Sequence, residues 1–175
     1  MTIAVLSLGS NLGDRAGYLG RAVAGLGDSA LRVSRVYETP PWGDPDQPAY
    51  LNAAVLARSL DDDPRYWLRV ARGAETLAGR QRDPSRRFAP RTLDVDIVAV
   101  FTVAGEPVLC PGPELILPHP LAHRRAFVLR PWLDIQPDAV LPGHGSVRDL
   151  TLAGPIAEEC ATLRPYEGVR LDAQR

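Results

Sequence analysis

The run Arg91-Thr92-Leu93-Asp94-Val95-Asp96-Ile97 sets two carboxylates two positions apart inside an apolar segment patterned as a β-strand. Side chains alternate along a strand, so Asp94 and Asp96 share one face while Leu93, Val95 and Ile97 share the other. Like charges that close raise each other's pKa, a cost a fold rarely carries for packing alone, and a divalent cation between them relieves it. Magnesium suits such a pair: it takes one or two carboxylates, keeps several waters and fills its remaining positions with substrate phosphates. On the motif alone a second reading stays open, in which one Asp caps a turn and the other faces solvent.

All 20 basic residues are arginine. A chain without lysine has no P-loop lysine, no Schiff-base lysine and no protein-kinase lysine. Phosphate must then be held by backbone and guanidinium groups, whose planar fork binds phosphate oxygens bidentately and stays charged at any working pH. The formal net charge of -1 gives no global basic field for nucleic acid, so any anion site is local, and no nucleic-acid partner is expected.

At 175 residues and 45% hydrophobic, residues 1–175 are expected to build one domain around one core. Cys110 and Cys160 have neither metal-ligand spacing nor a disulfide-rich context, which points to a reducing cytoplasm. No apolar run approaches the roughly 20 residues needed to span a bilayer, and the first residues lack a basic leader, so no membrane partner is expected. No oligomer interface is legible, and a monomer is the default.

Along the chain, Thr2 to Leu8 reads as a buried strand followed by the turn cluster Gly9-Ser10-Asn11-Leu12-Gly13. Asp14 caps a helix over about 15–26 with Leu19, Val23 and Leu26 at helical spacing and Gly27 as its stop. Leu31 to Tyr37 is read as a second strand with imperfect alternation, since Arg35 shares the face of Leu31, Val33 and Tyr37 while Val36 falls on the other. Residues 38–50, with Pro40, Pro41, Pro45 and Pro48, form a loop, and 51–59 a third strand. Asp61 to Asp63 opens a helix with Pro64 in its first turn and Tyr66, Trp67, Val70, Ala71 and Leu77 as candidate core residues. Pro-rich turns follow at 111–120, then a helical stretch from His123 to Arg130 stopped by Pro131, and a tail after about 155 that covers an edge.

Between the second helix and the carboxylate strand lies a basic loop with Arg80, Arg82, Arg86, Arg87 and Arg91. A solvated charge run is one reading of it. Next to two candidate metal ligands, a polyphosphate explains it better, because that ligand needs both a cation and arginines to spread its charge. The repeated strand-helix-strand order favours an α+β sandwich with a mainly antiparallel sheet and helices packed on it.

The run from Phe88 to Ile97 resembles the signature of the 6-hydroxymethyl-7,8-dihydropterin pyrophosphokinase family. Four further segments agree in order: Leu8 to Gly13, Tyr37 to Gly43 with its Thr39-Pro40-Pro41 core, Asp46 to Asn52, and Leu117 to Pro120 with Arg125 to Leu129. The resemblance covers residues 2 to about 140. It implies a ferredoxin-like α/β sandwich and transfer of pyrophosphate from ATP to the pterin alcohol, a folate-pathway step in the cytoplasm. ATP would be co-substrate, with two magnesium ions on Asp94 and Asp96.

The resemblance also implies roles for further residues. Arg80, Arg82 and Arg91 would bind the triphosphate and stabilise charge as AMP leaves, with His119, Arg125 and Glu75 on the nucleotide side. The pterin would stack between Tyr50 and Phe127, closed over by Phe88, where relatives commonly carry Trp. Asn52 would read its amide edge, and the backbone of Thr39, Pro40, Pro41 and Trp42 would supply further hydrogen bonds. Glu114 and Pro120 stand where some relatives carry a basic residue and Tyr. Two rivals are a magnesium-dependent phosphohydrolase and a nucleotide-binding module without catalysis.

Overall fold

The computed structural model describes residues 1–81 and 89–172. In chain order its first half comprises β1 (Thr2–Ser10), α1 (Arg15–Leu26), β2 (Ala30–Val33), β3 (Tyr37–Thr39), β4 (Tyr50–Ser59), α2 (Arg65–Leu77) and β5 (Asp94–Thr102). The second half holds the short strands β6 (Cys110–Pro111) and β7 (Ile116–Leu117), then α3 (Ala126–Ile135). It closes with β8 (Val140–Leu141), β9 (Gly145–Ser146), α4 (Val147–Thr151), α5 (Gly154–Thr162) and β10 (Arg164–Pro165). The main sheet runs β10-β3-β4-β1-β5, with β2 also on β4, and these strands all pair antiparallel. α1 and α2 each carry the chain over one intervening strand, which is the expected ferredoxin-like α/β sandwich.

Two apolar layers flank the sheet. Leu19 and Val23 of α1 with Trp67 and Ala71 of α2 pack on Leu6, Leu8, Val55 and Ile97. Leu129, Trp132 and Ile135 of α3 pack on Val5, Ala54 and Val98 from the opposite side. A single strand serves both layers because its alternate residues point to opposite faces. In β5 one extra residue changes that phase: Leu6 faces Ile97 and Val5 faces Ala99, so Val98 is bulged. Its carbonyl accepts the backbone N–H of His119 at 2.8 Å, which ties the later Pro-His segment to the carboxylate strand.

α1 forms as expected, with the Asp14 carboxylate accepting the Gly17 N–H at 3.0 Å and Gly27 ending the helix at φ 50°. Four other expectations are corrected. Residues 31–37 are two strands, because Val33 faces Val55 while Tyr37 faces Asn52: four steps on one strand against three on its partner. That inserted residue produces the broken alternation; the Ser34 hydroxyl fills the gap by accepting the Ala54 N–H at 2.8 Å. Leu77 is exposed, since the buried stripe of α2 runs Trp67, Ala71, Glu75, Ala78 and Leu77 lies off it. α3 begins at Ala126 and runs through Pro131, which removes only the one N–H that the Phe127 carbonyl would accept. The carboxylate strand begins at Asp94, three residues after Arg91.

The tail does cover an edge, as β10 pairs with β3, but it is preceded by the helix α5. No helix among the described residues is long and apolar enough to cross a membrane. Replacing Ser34 by Ala leaves the buried Ala54 N–H without its partner and is expected to cost about 1–3 kcal/mol. Urea unfolding reads this as a lower midpoint at unchanged slope; an unchanged midpoint would mean that the inserted residue stabilises nothing.

Candidate active site

Register across three strands builds the floor of the site. Gly9 of β1 faces Asn52 of β4 on one side and Asp94 of β5 on the other, and Ser7 faces Asp96. A Cβ at Gly9 would stand 2.9 Å from the Asn52 Oδ1, so the missing side chain is what lets the Asn52 amide lie across the strand. The Asn52 Nδ2 donates to the Thr39 Oγ1 at 2.7 Å, which fixes the amide's orientation. Above this floor opens a cleft of about 520 Å³.

One wall is ionic. Arg80 and Arg91 both pair with Asp94, the latter at 2.9 Å, and the Arg125 Nη1 donates to the Asp96 Oδ2 at 2.8 Å. Glu75, buried on α2, accepts from Arg80 and also from the backbone N–H of Val95 at 3.1 Å. That N–H lies on the side of β5 away from β1, so Glu75 satisfies a donor that the edge strand would otherwise leave open. Burial, with Asp94 adding its charge, raises the pKa of Asp96. Burial holds the His119 imidazole below its ordinary value against the opposing charge of Asp96. The Nδ1 of His119 accepts the Leu121 N–H at 3.1 Å, so neutral His119 carries its proton on Nε2, 3.8 Å from the Asp96 Oδ1.

The other wall is aromatic and amide. Thr39, Pro40, Trp42, Tyr50, Asn52 and Phe127 line it. Trp42 meets Phe127 edge-on, with ring centroids 6.5 Å apart, and the Arg125 guanidinium lies 5.1 Å from the Trp42 ring and 5.7 Å from that of Phe127. Tyr50 donates its hydroxyl to Gln47 at 3.3 Å, and burial raises its phenol pKa.

The cleft therefore gathers Asp94, Asp96, Arg80, Arg91, Glu75, His119, Arg125, Thr39, Pro40, Trp42, Tyr50, Asn52 and Phe127 from the sequence reading. Pro41 does not line it, and Arg82 and Phe88 lie outside the described residues. Sequence reasoning did not place Leu68, Ala71, Ile97 and Leu115 on the cleft, which the edge of the α2 layer also lines through them. It also missed Asn11, whose N–H donates to the Arg91 carbonyl and whose Oδ1 accepts the Arg91 N–H, while its Nδ2 donates to Gln47 and Pro48. The 68–71–75 spacing on α2 is the signal that was available for Leu68 and Ala71; Asn11 offered none, since its partners come from loops remote in sequence.

A sequence model of the family 7,8-dihydro-6-hydroxymethylpterin-pyrophosphokinase (HPPK) matches residues 5–137. A Mycobacterium tuberculosis protein is 46% identical over 86% of this chain and 81% of its own length. A Mycobacterium leprae protein is 45% identical over 98% and 89%, and a Bacillus subtilis protein 41% identical over 76% and 77%. All three bear the name 2-amino-4-hydroxy-6-hydroxymethyldihydropteridine pyrophosphokinase. Among solved structures, an HPPK-DHPS in complex with substrates superposes with TM-score 0.64 at 12% identity, covering 94% of this chain and 46% of that one. The wild-type Plasmodium falciparum HPPK-DHPS with SDX-DHP gives 0.62 at 16%, covering 94% and 47%. The chain thus spans less than half the length of these solved structures, and the likeness concerns the fold.

Long-range ¹H–¹⁵N spectra are expected to show His119 as the Nε2–H tautomer with a protonation midpoint below the usual ~6.5. A midpoint above that value would mean that the Asp96 charge outweighs burial.

Proposed function

The chain belongs to the 7,8-dihydro-6-hydroxymethylpterin-pyrophosphokinase family, and from that premise we propose that it transfers pyrophosphate from ATP to the hydroxymethyl group of 6-hydroxymethyl-7,8-dihydropterin, giving the pterin diphosphate and AMP in folate biosynthesis. The observation that carries this reading is the division of one cleft into an ionic wall suited to a triphosphate and an aromatic-amide wall suited to a flat heterocycle. A hydrolase needs no second wall of that kind.

Asp94 and Asp96 would hold two magnesium ions. Their oxygens are hard donors facing the cleft, and among the described residues no cluster of three or more His, Cys, Asp or Glu forms a closed protein cage. The remaining ligand positions would fall to phosphate oxygens and water, as magnesium prefers. Bound there, magnesium would supply positive charge that offsets the phosphates and polarises the transferring group.

The chain's own groups orient both reactants. Arg80, Arg91 and Arg125, already turned inward by the carboxylates, offer the phosphates charge-assisted donors at the point where negative charge builds on the leaving AMP. His119 serves as a donor through Nε2–H; its Nδ1 lone pair is occupied by Leu121, so it is not the base. Tyr50 and Phe127 bound the pterin plane and Asn52 offers its amide to the ring's amide edge, with Thr39 fixing which atom points in. The hydroxymethyl oxygen then attacks the β-phosphorus in line with the departing AMP oxygen, and catalysis consists of positioning and charge stabilisation.

Purified protein incubated with ATP, magnesium and the pterin is expected to form AMP only when the pterin is present. The double substitution Asp94→Ala, Asp96→Ala is expected to lower that rate at least about 100-fold. Formation of ADP, or of AMP without pterin, would overturn the reading. Gly9→Ala, which pushes on the Asn52 amide, is expected to raise the KM for pterin about tenfold while leaving that for ATP within twofold; equal changes in both would show that the amide does not read the pterin.

A further inference from the structure

α3 carries Phe127 into the aromatic wall, yet Pro131 interrupts the helix's own hydrogen-bond ladder at the Phe127 carbonyl. The helix is instead held from outside, near its C-terminal end. Tyr37 of β3, 3% exposed, donates its hydroxyl to the Asp134 Oδ2 at 2.9 Å. Arg130 pairs with the other Asp134 oxygen at 3.3 Å, and Arg35 reaches the Tyr37 hydroxyl at 3.2 Å. Both guanidinium groups lie over the Tyr37 ring, at 5.7 and 5.8 Å. On β2, which lies along the same side of β4 as β3, the Arg32 Nη1 donates to the Ile135 carbonyl at 2.9 Å.

Asp134 and Phe127 are seven residues apart, which on a helix is about 10 Å along the axis and within about 20° of one stripe. β3 runs beside that stripe. Its Tyr37 meets Asp134, and the loop just beyond it brings Trp42 against Phe127. Tyr37 is also paired in register with Asn52, the amide on the cleft floor. We propose that Tyr37 and Asp134 are positioning residues for the pterin side of the site: their partly buried hydrogen bond sets where α3 stands against β3 and β4, and so fixes the gap that Phe127 presents to the flat ring. This rests on the proposed pterin reading of the aromatic wall and adds to it the device that holds the gap open to one thickness.

The hydroxyl is suited to the task. Burial, with the Asp134 charge adding to it, raises the phenol pKa, so Tyr37 remains a donor throughout the neutral range. Neither residue lines the cleft, so neither touches a reactant.

The test is Tyr37→Phe, which keeps the ring and removes the hydrogen bond, beside Asp134→Ala and Asp134→Asn. The first two are expected to raise the KM for pterin about fivefold with kcat and the KM for ATP within twofold, and Asp134→Asn, which retains an acceptor, to return near wild type. A ligand-free readout accompanies them: the Trp42 indole cross-peak, reporting on Phe127, should move in Tyr37→Phe and Asp134→Ala and return in Asp134→Asn. Loss of thermal stability with unchanged pterin KM and unchanged Trp42 signal would overturn the proposal, as would equal rises in both KM values. If wild-type protein shows no pterin-dependent turnover, the functional reading fails, while the Trp42 signal still decides whether the pair positions Phe127.

Discussion

Two carboxylates on one face of an edge strand are the constraint around which the molecule is arranged. Neighbours two apart on a strand sit about 7 Å from each other, and at the effective dielectric of a protein surface their repulsion is about 2 kcal/mol. The fold meets that repulsion with arginines drawn from three places: Arg80 beyond the end of α2, Arg91 before β5 and Arg125 at the start of α3. Each of those segments is then obliged to approach the same end of the sheet. Glu75 adds a fourth tie, because one carboxylate holds both Arg80 and the open edge of β5.

The sheet topology makes that convergence possible. With β1 in the middle, residues from β4 and β5 meet across a single strand, and Asn52, Gly9 and Asp94 form one row although they are more than 80 positions apart at the extremes. A glycine at the centre of the row leaves a shallow floor between the amide and the carboxylates. Two ligands of different chemistry can then lie side by side without an intervening wall, which a reaction between them requires.

Much of this was legible in the sequence. The period-two pattern around Asp94 and Asp96 survives in the structure because Val95 and Ile97 are buried in the α1–α2 layer while Asp94 and Asp96, on the other face, are held by arginines. The Asp14 cap and Gly27 stop were legible because capping is local chemistry. The broken alternation at 31–37, read as imperfection within one strand, was a true signal of two: one inserted residue shifts the phase, and only the pairing with β4 reveals which. Pro131 misled because its effect depends on what else holds the helix, and Tyr37 and Arg35, which hold it through Asp134, lie far from it in sequence. Asn11 was unreadable for the same reason, since its bonds to Gln47, Pro48 and Arg91 exist only after folding.

The guanidinium-only character of the ionic wall has a chemical consequence. With no lysine in the sequence, no side-chain amine exists for acetylation, carbamylation or sugar adducts to consume. Reagents that seek amines pass this cleft by, whereas dicarbonyls that condense with guanidinium groups meet three of them, Arg80, Arg91 and Arg125, gathered on two carboxylates. The vulnerability of the site is thereby moved from one class of covalent chemistry to another.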